Sequence, residues 1–556
     1  MSGSRAGSVR RALMHPLGRR AFVGGLGAAV ALPGLAGRAR AAPRGRRGGI
    51  VVGLSQEPTV FNPLFPHIEV DDGLLMNLFS PLWSIDETGQ FVPELAADIP
   101  TPDNGGISED GTFWRIRLRA DVAWHDGAPF SAEDVRFTLG LLHDPDFPAY
   151  SRAGHELVAD VTVVSPTEIT WRMKESSASY LSQLANMFVV PAHLLAREHN
   201  WSASAFSQQP VGTGPFRWGS RVPGDQITLL ANARYYRPEE PHVETLIFKY
   251  IPDQTALFTQ FEVGAIDYLG MQGIAPDRYR EALALPAGRR IEIAPAAAAG
   301  VVALNLGRPQ FQDLAVRQAL YLALDKEEII SILLEGLPHV SESYVPRESF
   351  WFNPDLPAHR HDPAQARAVL DAAGWVAGRD GIRSRDGVRL EFGNSSTSGD
   401  PLRQQIQQVM QAQWKTIGAA MTLHDAPPAI TWGSRWTHSQ FDSALVEIDF
   451  MVGSDPECSL HFDSHQSVAR GGVGSNVFQY ASTVADELMV AGMHEQDRMK
   501  RREIYRKIQA VIRHDLPVLP LYQRSSIEGV KSALVGYKSN INVRSNCWNI
   551  RSWYWA

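Results

Sequence analysis

The chain has 556 residues, 44% of them apolar and 20% charged, with a net charge of −7. That is an ordinary balance for a soluble globular protein, and the length is more than one hydrophobic core serves. The acidic sign disfavours a nucleic-acid or anionic-lipid partner, both of which demand a positive surface.

Residues 1–41 carry seven Arg and no acidic residue around an apolar run from Ala21 to Leu35, and they end in Ala39-Arg40-Ala41. A basic start, a short apolar middle and a small-x-small ending predict a secretory signal cleaved after Ala41. Arg19 and Arg20, just before Ala21-Phe22, resemble the twin-arginine export pattern, and Arg38 and Arg40 beyond the apolar run favour that route. Without this segment, 46 basic residues face 60 acidic ones, about −14. The cleavage point has no neighbouring Cys, so a soluble, exported, periplasmic product without a lipid anchor is expected. In such an oxidising compartment Cys458 and Cys547 can form a disulfide closing a loop of about 90 residues; two buried thiols are the alternative.

Along the expected mature chain, residues 48–54 read as an opening strand, followed by a loop with Glu57 and Thr59. A helical period covers 71–82. Residues 113–118 alternate as a half-buried strand, Trp124-His125-Asp126-Gly127 is a turn, and Ser131-Ala132-Glu133-Asp134 opens a capped helix. Strands are predicted at 161–164 and 168–172, and helices at 179–187 and 191–199. Beyond the breaker Gly212-Thr213-Gly214-Pro215-Phe216 come strands at 227–231 and 243–251, a helix at 253–263 and a strand at 265–269. After the Ala-rich stretch 294–299 the pattern restarts at Val301. Helices capped by Asp313 and Asp325 follow, then helices at 363–373, 401–417, 483–493 and 497–514, and a strand at 517–522. Alternating helices and short strands define an α/β chain.

These segments resemble the extracytoplasmic solute-binding proteins of family 5, the peptide- and nickel-binding group. The match is densest from Leu118 through Trp124-His125-Asp126-Gly127-Ala128-Pro129-Phe130-Ser131-Ala132-Glu133-Asp134-Val135 to Leu139. It extends through Gly212–Phe216, Asn305, Arg317–Leu320, Asp325, Asp362-Pro363, Gly374-Trp375, Asp455-Pro456 and Pro517–Leu521, in family order over about 50–540. The resemblance implies a two-lobe periplasmic-binding-protein clamp of class II, cluster C, with an extra subdomain. Lobe I would comprise 48–86, 210–296 and 515–556, the subdomain 87–209, and lobe II 297–514. It also implies a monomer that hands a small molecule or peptide to the permease and ATPase subunits of an ABC importer, without a cofactor.

Candidate ligand contacts are Glu57, Thr59, Trp351, Trp432, Trp436, Asp449 and Asp455. Peptide binders of the family carry an Asp three residues before their Asp-Pro pair, which holds the ligand amine. Here Val452 stands at that place and Asp449 three residues earlier, so either Asp449 takes over or the ligand lacks that amine. Oligosaccharide, opine-like and metal-chelate ligands are the alternatives within the class. His125-Asp126 reads as a structural turn, and His461 and His465 lack an obvious third metal ligand. With no G-x-S-x-G, P-loop or C-x-x-C pattern, catalysis is not expected; the rival from another class is an exported hydrolase on a similar scaffold.

Overall fold

The computed structural model describes residues 48–556 apart from Ala153 and His199, so the signal expected at 1–41, with Arg19, Arg20 and Ala41, lies outside the described residues. Ten strands form one sheet: β1 (Gly49–Leu54), β2 (Phe216–Val222), β3 (Gln226–Ala231), β4 (Thr245–Tyr250), β5 (Tyr268–Ile274), β6 (Arg289–Leu304), β7 (Glu391–Ser395), β8 (Ala420–Leu423), β9 (Ser443–Ile448) and β10 (Val518–Lys531). Their spatial order is β8-β7-β9-β6-β10-β5-β1-β4-β3-β2. The opening strand GIVVGL is parallel to both neighbours, β4 and β5. Both its faces are covered, as its β-branched run requires.

The two longest strands, β6 and β10, belong to both halves of this sheet. Arg289–Pro295 pairs with Ser525–Lys531, and Ala299–Ala303 pairs with Val518–Gln523. Between them the register shifts, and Ala296, Ala297 and Ala298 fall outside the ladder. Pro295 brings no N–H to that ladder, and small side chains tolerate the resulting bulge. Beyond it β6 pairs with β9 through Ala299–Leu304. On the other side β10 pairs with β5 through Ile527–Val530.

Four apolar clusters follow this division. One gathers Ile291 and Ile293, before the bulge in β6, with Ile527, after it in β10, and another takes Val530 of β10. The other two gather residues from Ala299 to Tyr522. Leu516, Leu519, Leu521 and Tyr522 pack with Val302, Leu320 and Leu445, and β10 changes sides near 523–525.

The segment between β1 and β2 adds helix α1 (Glu69–Leu78), helix α2 (Ala132–His143) and an antiparallel sheet of Phe113–Arg117, Glu168–Met173 and Val158–Ser165. Its Trp114 and Trp171 stack at 6.0 Å within the core it shares with β1 and β4. The helix expected at 191–199 is short, Ala192–Leu195.

Three sequence motifs converge here. The His125 backbone N–H donates to Gly212 O (2.9 Å), its Nδ1 accepts from Gly212 N (3.0 Å), and its Nε2 lies 3.1 Å from Gly214 O. Burial lowers the His125 pKa to about 4, which keeps the ring neutral for this two-sided clasp. Gly214 N donates to Leu78 O at the end of α1, and a Cβ on Gly212 would sit 1.9 Å from that oxygen. Only glycine allows that approach. Ser131 caps α2, and Asp134 accepts from Ser131 N and Ala192 N, joining two helices through one buried carboxylate.

The expected Cys458–Cys547 disulfide is not formed: both cysteines are free and buried. Cys458 packs with Tyr344, Phe450 and Phe462 in one cluster, with Sγ 3.3 Å from the Tyr344 hydroxyl. Cys547 lies in another cluster, with Leu74 and Trp553. Each thiol is fixed in its own core, so the geometry a bridge requires is not met. Burial pushes the Cys547 pKa up to about 12 and raises that of Cys458 as well, so neither is a reactive thiolate at neutral pH. Protein purified without reductant should therefore resist an aromatic disulfide reagent when native and titrate two thiols once denatured. No thiol after denaturation would restore the bridge.

Candidate functional site

A cavity of about 690 Å³ opens at the strand crossover, a volume typical of ligand sites. Pro295–Ala298 of β6 and Arg524 of β10 form its back. The first half contributes His67, Glu69, Asp72 and Met76 near or on α1, and the loop at 540–546. The second half contributes Asp449 and Met451–Gly453. Both halves thus wall one space.

Its charges fall into two sets. Glu94 is satisfied: it accepts from Tyr236 Oη (2.6 Å), Ser84 Oγ (3.0 Å) and Arg551 (2.9 Å), with Arg237 at 3.0 Å. Burial opposes its charge, yet Arg551 and Arg237 hold its pKa below the usual value. Glu528 is also enclosed, accepting from Tyr268, Tyr537, Ser526 and Asn546 at 2.6–2.9 Å. Burial outweighs these donors and raises its pKa.

The second set is turned to the cavity. The Asp449 carboxylate lines the cavity and accepts from Met451 N (3.1 Å); burial raises its pKa to about 6 against that bond and nearby Arg544. Glu69 is half-buried, and burial raises its pKa too. Arg524 comes no nearer to an acid than 3.9 Å, at Glu447, and Arg544 no nearer than 3.7 Å, at Asp72. Guanidinium donors and carboxylate acceptors therefore face the same space.

Of the residues expected to touch a ligand, only Asp449 lines this cavity. Glu57 instead binds Arg221 (2.7 Å) and Gly224 N (3.1 Å), bracing the β2–β3 hairpin, and the Arg221 bond lowers its pKa. Thr59 is exposed, and its N–H donates to Asp71, which also accepts from Ile68 N at the start of α1. Trp351 is a core residue whose Nε1 donates to Ser454 O (2.9 Å). Trp432 and Trp436 pack edge to face at 5.4 Å around a crevice of about 10 Å³, too small for a solute.

Asp455 does not line the cavity. It makes a bidentate, buried pair with Arg501 (2.5 and 2.7 Å), on the helix α3 (Arg498–Asp515). Its backbone exchanges hydrogen bonds with Val452 at 3.0 Å. The Asp455-Pro456 motif thus holds the loop that carries Asp449. Sequence reasoning missed Glu69, Asp72, Arg524, Glu528 and Arg544. Their one local signal is the acidic first turn of α1; the others reach the cavity through distant chain segments.

His461 packs on Phe450, and burial lowers its pKa to about 4. His465 is separate, bonded to Asp463 (2.9 Å), with Asp486 close by on the surface. The histidines four apart do not share a site.

A charged cavity walled by two lobes of one α/β sheet is the build of a solute-binding clamp. The chain belongs to the bacterial extracellular solute-binding proteins, family 5, whose profile matches residues 90–468. It is 27% identical over 523 residues to the oligopeptide-binding protein AppA of Bacillus subtilis (strain 168), covering 92% of each chain. The structure of that protein with a nonapeptide superposes with a TM-score of 0.72, covering 92% of this chain and 99% of that one. NikZ of Campylobacter jejuni, solved with Ni(L-His), is 26% identical with a TM-score of 0.73 over 91% of this chain and 99% of that one. Among the described residues no helix is long and apolar enough to cross a membrane.

Asp455→Asn should cost about 3–5 kcal/mol in urea unfolding, because it leaves the Arg501 guanidinium buried with a neutral partner. A loss below about 1 kcal/mol would show that this pair does not hold the loop.

Proposed function

We propose that this protein is the exported, periplasmic binding component of an ABC-type importer, that its cleft captures a peptide or peptide-like solute, and that it delivers that solute unchanged. One observation carries the ligand class: Asp449 and Glu69 share a cavity with Arg524 and Arg544, and hydrogen bonding within the protein leaves these groups largely unused. Such a site complements a molecule bearing both an ammonium and a carboxylate. Charge-assisted hydrogen bonds of this kind are stronger than neutral ones.

Two supports are independent of charge. Ala296–Ala298 lie outside the β6–β10 ladder at the back of the cavity, where an extended ligand backbone can align. The similar AppA holds a nonapeptide. Capture is read as closure of the two lobes about the β6–β10 crossover, driven by the solute's contacts with both walls. The permease and ATPase partners follow from the family. A monomer suffices, since one chain supplies both walls.

Asp449→Asn should weaken an ammonium-bearing peptide at least about fivefold, or about 1 kcal/mol, in titration calorimetry at pH 7. The raised pKa sets the sign of the pH dependence. Asp449 is mostly ionised at pH 7 and mostly protonated at pH 5, so affinity should fall as pH drops through about 6. The fall should flatten in Asp449→Asn. Unchanged affinity and an unchanged pH profile would remove Asp449 from the site, and recovery of a cleaved or altered solute would contradict a pure binder.

A further inference from the structure

Within the cavity, Asp72 stands apart from the other acids. It is 3% exposed, and its Oδ2 has no hydrogen-bond donor. Its other oxygen, Oδ1, is taken by His67 Nε2 at 3.0 Å. His67 Nδ1 faces Phe65 O at 2.7 Å. Both ring nitrogens therefore face acceptors, which defines a doubly protonated imidazolium and fixes the ring. Tyr150, 40% exposed, stacks on that ring at 4.5 Å.

A buried carboxylate oxygen without a donor is costly unless something supplies one. The nearest candidate is Arg544, whose guanidinium lies 3.7 Å from Oδ2 and 4.4 Å from the Tyr150 ring centre. It makes no hydrogen bond among the described residues, and its side chain is 45% exposed. An ion pair at that separation and a stacking contact on a half-exposed ring are weak restraints. Arg544 thus rests on a platform suited to a planar cation without being anchored there.

We propose that Asp72, His67 and Tyr150 form a cation subsite for a basic side chain of the solute, of arginine or lysine type, and that the Arg544 guanidinium occupies this subsite and yields it when such a solute binds. The inference rests on the peptide reading above and makes it narrower: the cleft selects peptides with a basic side chain in addition to their terminal amine. The exchange is one cation for one, so the local charge is conserved. A guanidinium fits best, since it can stack on Tyr150 and donate two parallel hydrogen bonds to a carboxylate.

The test uses an equimolar pooled tripeptide library incubated with the purified protein, with retained peptides read by mass spectrometry. The most enriched arginine-containing sequence is then synthesised beside its citrulline counterpart, which keeps the shape and loses the charge. In the natural protein the arginine form should bind about tenfold more tightly. In Arg544→Gln that preference should widen about fivefold or more, because the resident cation is gone. Asp72→Asn should abolish it. Because Asp72 is buried, Tyr150→Leu provides a second variant at a half-exposed ring, and it should reduce the preference several-fold. Equal affinity for the two forms, or an arginine peptide that binds more weakly in Arg544→Gln, would overturn the subsite. If peptides bind in an Asp449-dependent way without discriminating the pair, this inference alone falls. If no peptide is retained at all, the peptide reading falls and this inference with it.

Discussion

The β6–β10 pair is the constraint on which the rest depends. Among the described residues these two strands alone pass through both halves of the sheet, and their register breaks at Pro295–Ala299. An antiparallel ladder resists bending while its hydrogen bonds are continuous; a bulge of small residues removes that resistance at one point. The cavity opens at that point, and Arg524 stands opposite the break. On the proposed closure, hinge and ligand site are one place, so a solute that touches both walls would act directly on the angle between them.

The groups facing the solute are held from outside the cavity. Asp449 sits on a loop whose geometry is maintained by the Asp455–Arg501 pair and the reciprocal Val452–Asp455 bonds. Helix α1, which presents Glu69 and Asp72, is fixed at its far end by Gly214 N on Leu78 O, and through the glycines by His125. Asp71 fixes its near end. Such support keeps charged groups in place without neutralising them, as a binding site requires.

Local features were legible in the sequence because their chemistry is local. The Trp124–Gly127 turn, the Ser131 cap and the caps at Asp313 and Asp325 stand as their patterns predict. The site was far less legible. Glu57 follows a strand, as a cleft residue can, yet its partner Arg221 is 164 residues away and turns it aside. Trp351, Trp432 and Trp436 show that an aromatic side chain alone does not declare whether it faces a core or a ligand. Asp455 was prominent through its motif, yet its carboxylate is taken by a buried pair with Arg501. Asp72 reads as an ordinary acid in a helical first turn; only the return of the chain brings the Arg544 guanidinium to 3.7 Å from it. Nor does a strand's own pattern show that it serves two cores in succession, as β10 does.

The account's central claim is that capture at the crossover draws the two lobes together. Small-angle scattering of the purified protein, with and without a saturating peptide taken from the pooled library, tests it most directly. Peptide binding should give a smaller radius of gyration and a lower maximum dimension. Superimposable curves at proven saturation would contradict a closing clamp.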